Sequence, residues 1–149
     1  MRPIFDAHCH IIDSAYPLIP NNGYVPEFFS VDDYLARATP LGIVGGAVVS
    51  GSFQGYDQSY LIAALKRLGP GFVGVTQLPA SVTDAELQTL RRQGIRALRF
   101  NLKREAPNNL TSSNHWPCAC MNKWAGIPSC TLTHGNCQGW KTGCDACRR

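Results

Sequence analysis

The sequence predicts an α/β protein whose strands form a parallel sheet. Four apolar runs rich in β-branched residues alternate with three amphipathic helical segments before residue 104, which is the pattern of repeated βα units. Hydrophobic residues make up 44% of the 149 residues, enough for one packed core. No apolar run approaches the roughly 20 residues of a membrane span, and residues 1–6 lack the cleavage site of a secretory signal. We therefore expect a cytoplasmic, globular domain without a membrane partner.

Each predicted helix has a recognisable start and stop. Ser30 is a helix N-cap followed by two acidic residues, and this helix extends to about Ala38. The second helix begins at Asp57 and ends at Gly69, and the third begins with a capping box at Thr83 and ends at Gly94. The predicted strands are residues 4–7, 43–50, 72–76 and 95–102.

Two architectures fit this order of elements, an open doubly wound sheet and part of a (β/α) barrel. Both place their strands in parallel and join them through helices. No glycine-rich phosphate loop follows the first strand, which argues against the dinucleotide-binding version of the open sheet.

Two histidines form a candidate site where the first strand ends. His8 and His10 are two residues apart, so in a strand their side chains point to the same side. The carboxyl end of a parallel strand is where barrels and α/β sheets hold their active sites. Paired imidazoles can bind one divalent metal ion, and zinc is the ion we expect. The alternative is that the two histidines are a surface feature without function.

Basic and amide side chains gather near the end of the fourth strand. Arg99 and Asn101 share one face, and Arg104 follows in the loop. A guanidinium group donates two parallel hydrogen bonds to a carboxylate and keeps its charge, so these residues predict a small carboxylated substrate. Arg96 and Arg104 could instead be solvated or paired with helix carboxylates.

Other function classes have little support. The net charge is +4, but the basic residues are scattered singly or in pairs, so we expect no nucleic-acid partner. No Gly-x-Ser-x-Gly segment is present, which leaves serine-hydrolase chemistry without a nucleophile elbow.

Four linked segments resemble the amino-terminal half of amidohydrolase-related metal-dependent hydrolases. Within that superfamily the likeness is to the branch that includes 2-pyrone-4,6-dicarboxylate lactonase, and it covers about residues 3–104. The segments are 5–13 (FDAHCHIID), 45–51 (GGAVVSG), 74–77 (GVTQ) and 96–102 (RALRFNL).

The resemblance implies four βα units of a (β/α)₈ TIM barrel and hydrolysis of a lactone, an amide or a related bond. It also implies that His8 and His10 are site residues and that Arg99 and Arg104 contact a substrate carboxylate. In most of the superfamily the paired histidines bind a divalent metal that generates hydroxide from water. Lactonases of this branch share the fold yet can work without a metal.

The chain departs from that family after its fourth strand. A complete barrel needs about 250 residues, and the later-strand histidine and eighth-strand aspartate of relatives have no counterpart here. The alternative hypothesis is therefore a truncated half-barrel without catalysis. Its unpaired edge strands predict self-association.

The composition changes abruptly after residue 104. All 3 Trp lie in residues 105–149, whereas all 6 Phe and 5 Tyr precede residue 101. We therefore divide the chain into a partial barrel domain, 1–104, and an irregular, disordered tail, 105–149. The tail holds six cysteines that could form a zinc module, although their spacings match no known finger: Cys118, Cys120, Cys130, Cys137, Cys144 and Cys147.

Out-of-frame translation is the other explanation of the tail. One alternative frame contains a stop codon at Met121. The other frame can encode a helix end, a glycine stop and an apolar strand, similar to the segment that relatives carry after the fourth strand. This pattern predicts a frameshift between Lys103 and Cys118.

Overall fold

A computed structural model describes residues 2–20, 23–79, 81–101 and 129–131, with the backbone alone at 100–101 and 129–131. The strands are β1 (Ile4–Cys9), β2 (Ile43–Val49), β3 (Phe72–Thr76), β4 (Ile95–Asn101) and β5 (Ser129–Thr131). The helices are α1 (Val31–Ala38), α2 (Ser59–Leu68) and α3 (Asp84–Arg92), with short 3₁₀ turns at Thr39–Leu41 and Ser52–Gln54. No helix in these described ranges is long and apolar enough to cross a membrane.

The strands pair in parallel and in chain order, β1-β2-β3-β4-β5. Sequential order is the arrangement of a (β/α) barrel, whereas a doubly wound sheet reverses its strand order at a switch point. The predicted α/β class and partial barrel are therefore confirmed for the first four strands. Strand β5 was not predicted. Nearly all of the predicted tail lies outside the described residues, including every cysteine of the proposed module except Cys130. The division at residue 104 stays a prediction.

Local capping explains where two of the helices begin. The Ser30 hydroxyl accepts the Asp33 backbone N–H at 3.2 Å, and the Asp33 carboxylate accepts the Ser30 N–H at 2.8 Å. Thr83 and Glu86 form the same reciprocal pair ahead of α3. Both arrangements satisfy N–H groups that the first helical turn leaves without partners.

All three helices share one hydrophobic cluster with the strands, including Leu61 of α2, Leu87 of α3 and Ile95 of β4. Helix α2 lies close to β3 because residue 74 is glycine. A Cβ atom there would come within 3.0 Å of the Leu65 and Ile95 side chains. The Gly45 predicted inside a strand also serves close packing, since a Cβ atom at that position would lie 2.3 Å from the Gly71 carbonyl oxygen.

Strand β1 lies at the outer edge of the described sheet and is irregular. Its pairing with β2 shifts register between Ile4 and Phe5 and again between Asp6 and Cys9. Between the latter two residues β1 advances by three positions while β2 advances by two, which is a β-bulge. The bulge decides which way the site side chains point.

Replacing Leu61 by alanine should destabilise the chain by about 2–5 kcal/mol, because a fully buried leucine leaves a cavity when truncated. The side chain is 0% exposed. Urea denaturation measures the change in the free energy of unfolding. Leu41→Ala is the matched control, since Leu41 is 59% exposed and should cost less than about 1 kcal/mol. Equal losses in the two variants would contradict the described core.

Candidate active site

Asp6 and Cys9 of β1 both lie on the side of the sheet that faces Tyr34 of α1. Asp6 turns toward α1, where its carboxylate accepts a hydrogen bond from the Tyr34 hydroxyl at 3.0 Å. Cys9 is buried in the hydrophobic cluster, and its thiol lies 3.5 Å from the Ala47 carbonyl oxygen. Burial, with the nearby Asp6 charge, raises the pKa of Cys9 to about 11. The thiol therefore stays protonated and is a structural side chain.

His8 and His10 face each other at the carboxyl end of β1. Their Nε2 atoms are 3.4 Å apart, and the two rings meet edge to face with centroids 4.9 Å apart. The structure thus brings together the two imidazoles that the two-residue spacing predicted on one side. His8 is exposed and His10 is half-buried.

His10 is fixed by the backbone of the neighbouring strand. Its Nδ1 atom lies 2.6 Å from the Val49 carbonyl oxygen at the end of β2. A carbonyl oxygen only accepts, so Nδ1 carries the proton and Nε2 presents a lone pair toward His8. Burial lowers the pKa of His10, helped by the charges of His8 and Arg99 and opposed by the Val49 hydrogen bond. The neutral imidazole is therefore the favoured form.

The histidine pair fits a metal ion in two respects. Two nitrogen ligands at about 2.0–2.1 Å from a tetrahedral zinc ion are roughly 3.4 Å apart, which matches the separation of the two Nε2 atoms. The hydrogen bond from Nδ1 to a carbonyl is the support that ligating histidines usually receive. Within the described ranges, no group of three or more histidine, cysteine or carboxylate side chains could hold a metal.

Arg99 of β4 is joined to the same end of β2. Its Nη1 atom donates to the Ser50 carbonyl oxygen at 2.6 Å. Its Nε–H is buried without a hydrogen-bond partner among the described residues. Burial lowers the pKa of Arg99, with an opposing influence from Tyr60, but a guanidinium keeps its charge at any physiological pH.

The other predicted basic and amide residues fall elsewhere. Arg96 is exposed and donates to the backbone carbonyls of Arg91 and Ile95 where α3 ends, so it lies at the opposite end of β4 from Asn101. Asn101 ends that strand, where only its backbone is described. Arg104 lies outside the described residues, and its role stays a prediction.

Several buried polar residues near this site make contacts that the sequence did not predict. Ser50, Gln54, Thr76 and Gln77 are buried at the ends of β2 and β3. Gln77 donates to the Gly51 carbonyl at 3.2 Å. The only sequence signal for these residues was the change from apolar to polar residues at both strand ends. An ordinary turn shows the same change.

Comparisons with known proteins agree on one family. The model of the family described as Amidohydrolase matches residues 5–128. The chain is 35% identical over 98 residues to a 2-pyrone-4,6-dicarboxylate hydrolase of Comamonas testosteroni, covering 64% of this chain and 32% of the relative. It is 31% identical over 98 residues to a 4-sulfomuconolactone hydrolase of Rhizobium radiobacter, covering 64% and 33%. The chain thus spans about a third of the length of these curated relatives.

Solved structures share the fold. A probable 2-pyrone-4,6-dicarboxylic acid hydrolase from Acinetobacter baumannii, with citric acid bound, matches with a TM-score of 0.66 at 18% identity, covering 85% of this chain and 57% of that one. A putative hydrolase of the same substrate from Pseudomonas putida matches at 0.60 and 29% identity, covering 72% and 40%.

We expect His10 to remain neutral below the pH at which an ordinary histidine, with a pKa of about 6.5, takes up a proton. Because its pKa is lower in the folded chain, the unfolded chain binds that proton first as the pH falls. His10 therefore supports folding above about pH 6.5, and this contribution is lost as the pH falls toward the folded-state pKa.

The matched variant is His10→Asn, whose amide N–H can still donate to Val49 but does not titrate. Urea denaturation at pH 7.5 and 5.5 should show a larger loss of stability in the unmodified chain than in the variant. Identical pH dependence in both proteins would contradict the lowered pKa.

Proposed function

Because the chain belongs to the amidohydrolase family, we propose that its site serves the hydrolysis of a small carboxylated lactone or a related cyclic ester or amide. The observation that carries this proposal is the pair of Nε2 atoms, 3.4 Å apart, where β1 ends. Both His10 and Arg99 bond to the end of β2, so a hydrolytic pair and a carboxylate-binding group share one rim of the sheet.

The imidazoles can act on the bond to be cleaved. The neutral His10 presents its Nε2 lone pair, which can bind a divalent metal or accept a proton from water. His8 and His10 are the residues that would hold a zinc ion. Such an ion, when bound, lowers the pKa of water and polarises a substrate carbonyl. In a metal-free lactonase, the same two rings would orient the water and the carbonyl by hydrogen bonds.

Arg99 is suited to recognise a substrate carboxylate. One of its nitrogens is fixed on the Ser50 carbonyl, which limits the rotamers of the side chain before any ligand arrives. The buried Nε–H favours an acceptor, since an unsatisfied buried donor costs about 1–3 kcal/mol. Asn101 and Arg104 are proposed to complete this carboxylate site.

The named ligands of similar proteins have the matching chemistry. The two curated relatives are named for a pyrone dicarboxylate and a sulfonated lactone, and a similar structure contains citric acid. All three compounds are anionic, and two are explicitly polycarboxylic. This supports a carboxylated substrate for Arg99 rather than a neutral ester.

The second candidate is a half-barrel that binds without turnover and associates with another copy of itself. The edge strand β1 favours this function, since Phe5 is 57% exposed and Ile4 is 46% exposed. Exposed apolar edge strands pair with other chains unless they are covered. Size-exclusion chromatography with light scattering measures this association.

Assay of the full chain with 2-pyrone-4,6-dicarboxylate, with and without added zinc, tests the proposed hydrolysis. His8→Ala should lower kcat/KM by about 100-fold or more, as expected for removal of a group that handles a proton or a metal. Thr89→Val on exposed α3 is the control and should retain full activity. The proposal would be contradicted if His8→Ala kept its activity. It would also be contradicted if neither the monomeric nor the self-associated form of the unmodified chain hydrolysed the substrate.

Replacing Arg99 by methionine should raise KM by about 10- to 100-fold, because a charge-assisted hydrogen bond contributes roughly 1.5–3 kcal/mol. Michaelis–Menten kinetics with the dicarboxylate and its monomethyl ester separate the carboxylate contact from general damage. The two substrates should differ less in the variant than in the unmodified chain. An unchanged ratio would exclude Arg99 as a carboxylate contact.

A further inference from the structure

Ser50, the residue after β2, is held from every side. It is 0% exposed, and both peptide units that flank it, as well as its hydroxyl group, make hydrogen bonds. The Ser50 side chain is small and uncharged, so its own chemistry does not explain such complete fixation. The groups that its peptide units contact do explain it.

The peptide unit before Ser50 holds His10. Its N–H, which belongs to Ser50, donates to the Val75 carbonyl of β3 at 2.8 Å. Its carbonyl, which belongs to Val49, accepts the His10 Nδ1–H at 2.6 Å. Because the two groups of a planar peptide point in opposite directions, pairing with β3 aims the carbonyl at His10.

The peptide unit after Ser50 holds Arg99. Its N–H, which belongs to Gly51, donates to the Gln54 side-chain oxygen at 2.8 Å. The Gln54 amide in turn donates to the Ile11 carbonyl at 2.8 Å. The carbonyl of this unit, which belongs to Ser50, accepts the Arg99 Nη1–H at 2.6 Å.

The Ser50 hydroxyl lies in a chain of hydrogen-bonded side chains, which is buried at Tyr60, Ser50 and Thr76 and half-buried at Gln58. It is 2.6 Å from the Tyr60 hydroxyl and 3.0 Å from the Thr76 hydroxyl. Thr76 donates to the Gln58 side-chain oxygen, in preference to the Gln77 carbonyl at 3.4 Å. The Gln58 amide donates to the Tyr56 and Gln77 carbonyls at 3.0 and 2.9 Å.

These contacts fix the direction of every proton in the chain. Since the Gln58 amide nitrogen donates to two carbonyls, its oxygen must be the acceptor for Thr76. With its proton committed, Thr76 accepts from Ser50, and Ser50 accepts from Tyr60. Burial raises the pKa of Tyr60 well above its ordinary value, so the phenol keeps the proton that it donates.

We propose that Ser50 is a positioning residue whose hydroxyl, fixed by Tyr60 and Thr76, holds the two carbonyls that orient His10 and Arg99. The roles of His10 and Arg99 in hydrolysis rest on the proposed function, whereas the hydrogen bonds that orient them do not depend on it. Residues Tyr60, Ser50, Thr76 and Gln58 are hereafter the Ser50 network.

A purely structural role makes a different prediction. If the Ser50 network only satisfied buried polar groups, its removal would lower stability and leave the imidazole unchanged in the folded protein. A positioning role changes His10 itself, because a displaced Val49 carbonyl no longer selects the Nδ1–H tautomer. The tautomer of His10 therefore separates the two roles.

Nitrogen-15 NMR of the folded full chain, using long-range correlations of the imidazole nitrogens, measures that tautomer. The unmodified chain should show the Nδ1–H form of His10. Thr76→Val and Tyr60→Phe should each shift the tautomer ratio toward Nε2–H by about fivefold, as expected when one hydrogen bond is weakened. Thr76→Ser retains the hydroxyl and should restore the original ratio.

Tyr34→Phe is the matched control, since it also removes a buried tyrosine hydroxyl but one that bonds to Asp6. It should leave the His10 tautomer unchanged. Tyr60→Phe removes a single oxygen atom and decides the result if Thr76→Val does not fold. The inference is overturned if the folded variants retain the original tautomer ratio, or if Tyr34→Phe shifts it equally. Loss of hydrolysis with an intact tautomer response would contradict the proposed function alone.

Discussion

The parallel pairing of β1, β2 and β3 is the constraint on which the site depends. Pairing with β3 fixes the backbone where β2 ends, because the Ser50 N–H is bound to the Val75 carbonyl. The carbonyl that then points away from β3 is the one that His10 contacts. The hydrogen bonds between the strands thus determine the orientation of His10. The apolar core that holds the strands in register therefore also supports the site.

Local patterns were sufficient to predict the first four strands, the three helices and the histidine pair. Capping residues such as Ser30 and Thr83 act within one turn of chain, so their sequence signals describe the observed contacts directly. The spacing of His8 and His10 likewise predicted two rings on one side, which the structure shows. The resemblance of the linked segments to amidohydrolases is confirmed by the family match. That match also runs past the boundary placed at residue 104, although the out-of-frame interpretation of the tail stays a prediction.

The surroundings of the histidines could not be predicted from spacing. A period of two would place Asp6 on the same side as His8, yet the β-bulge turns Asp6 toward Tyr34. A bulge depends on the register in which two strands pair, and no residue type in β1 predicts it. The Ser50 network was missed for a related reason, since its members are far apart in the sequence. They lie just after β2, at the start of α2 and at the end of β3.

The two peptide carbonyls that flank Ser50 accept hydrogen bonds from His10 and Arg99, the side chains that we assign to bond cleavage and to substrate recognition. Under the proposed function, the residues for bond cleavage and for substrate recognition therefore depend on the same short backbone segment. Evolution toward uncharged substrates would meet epistasis here, because relaxing the backbone that holds the guanidinium would also disturb the imidazole. Adaptive changes in specificity should consequently accumulate in parts of the rim that do not contact this short segment.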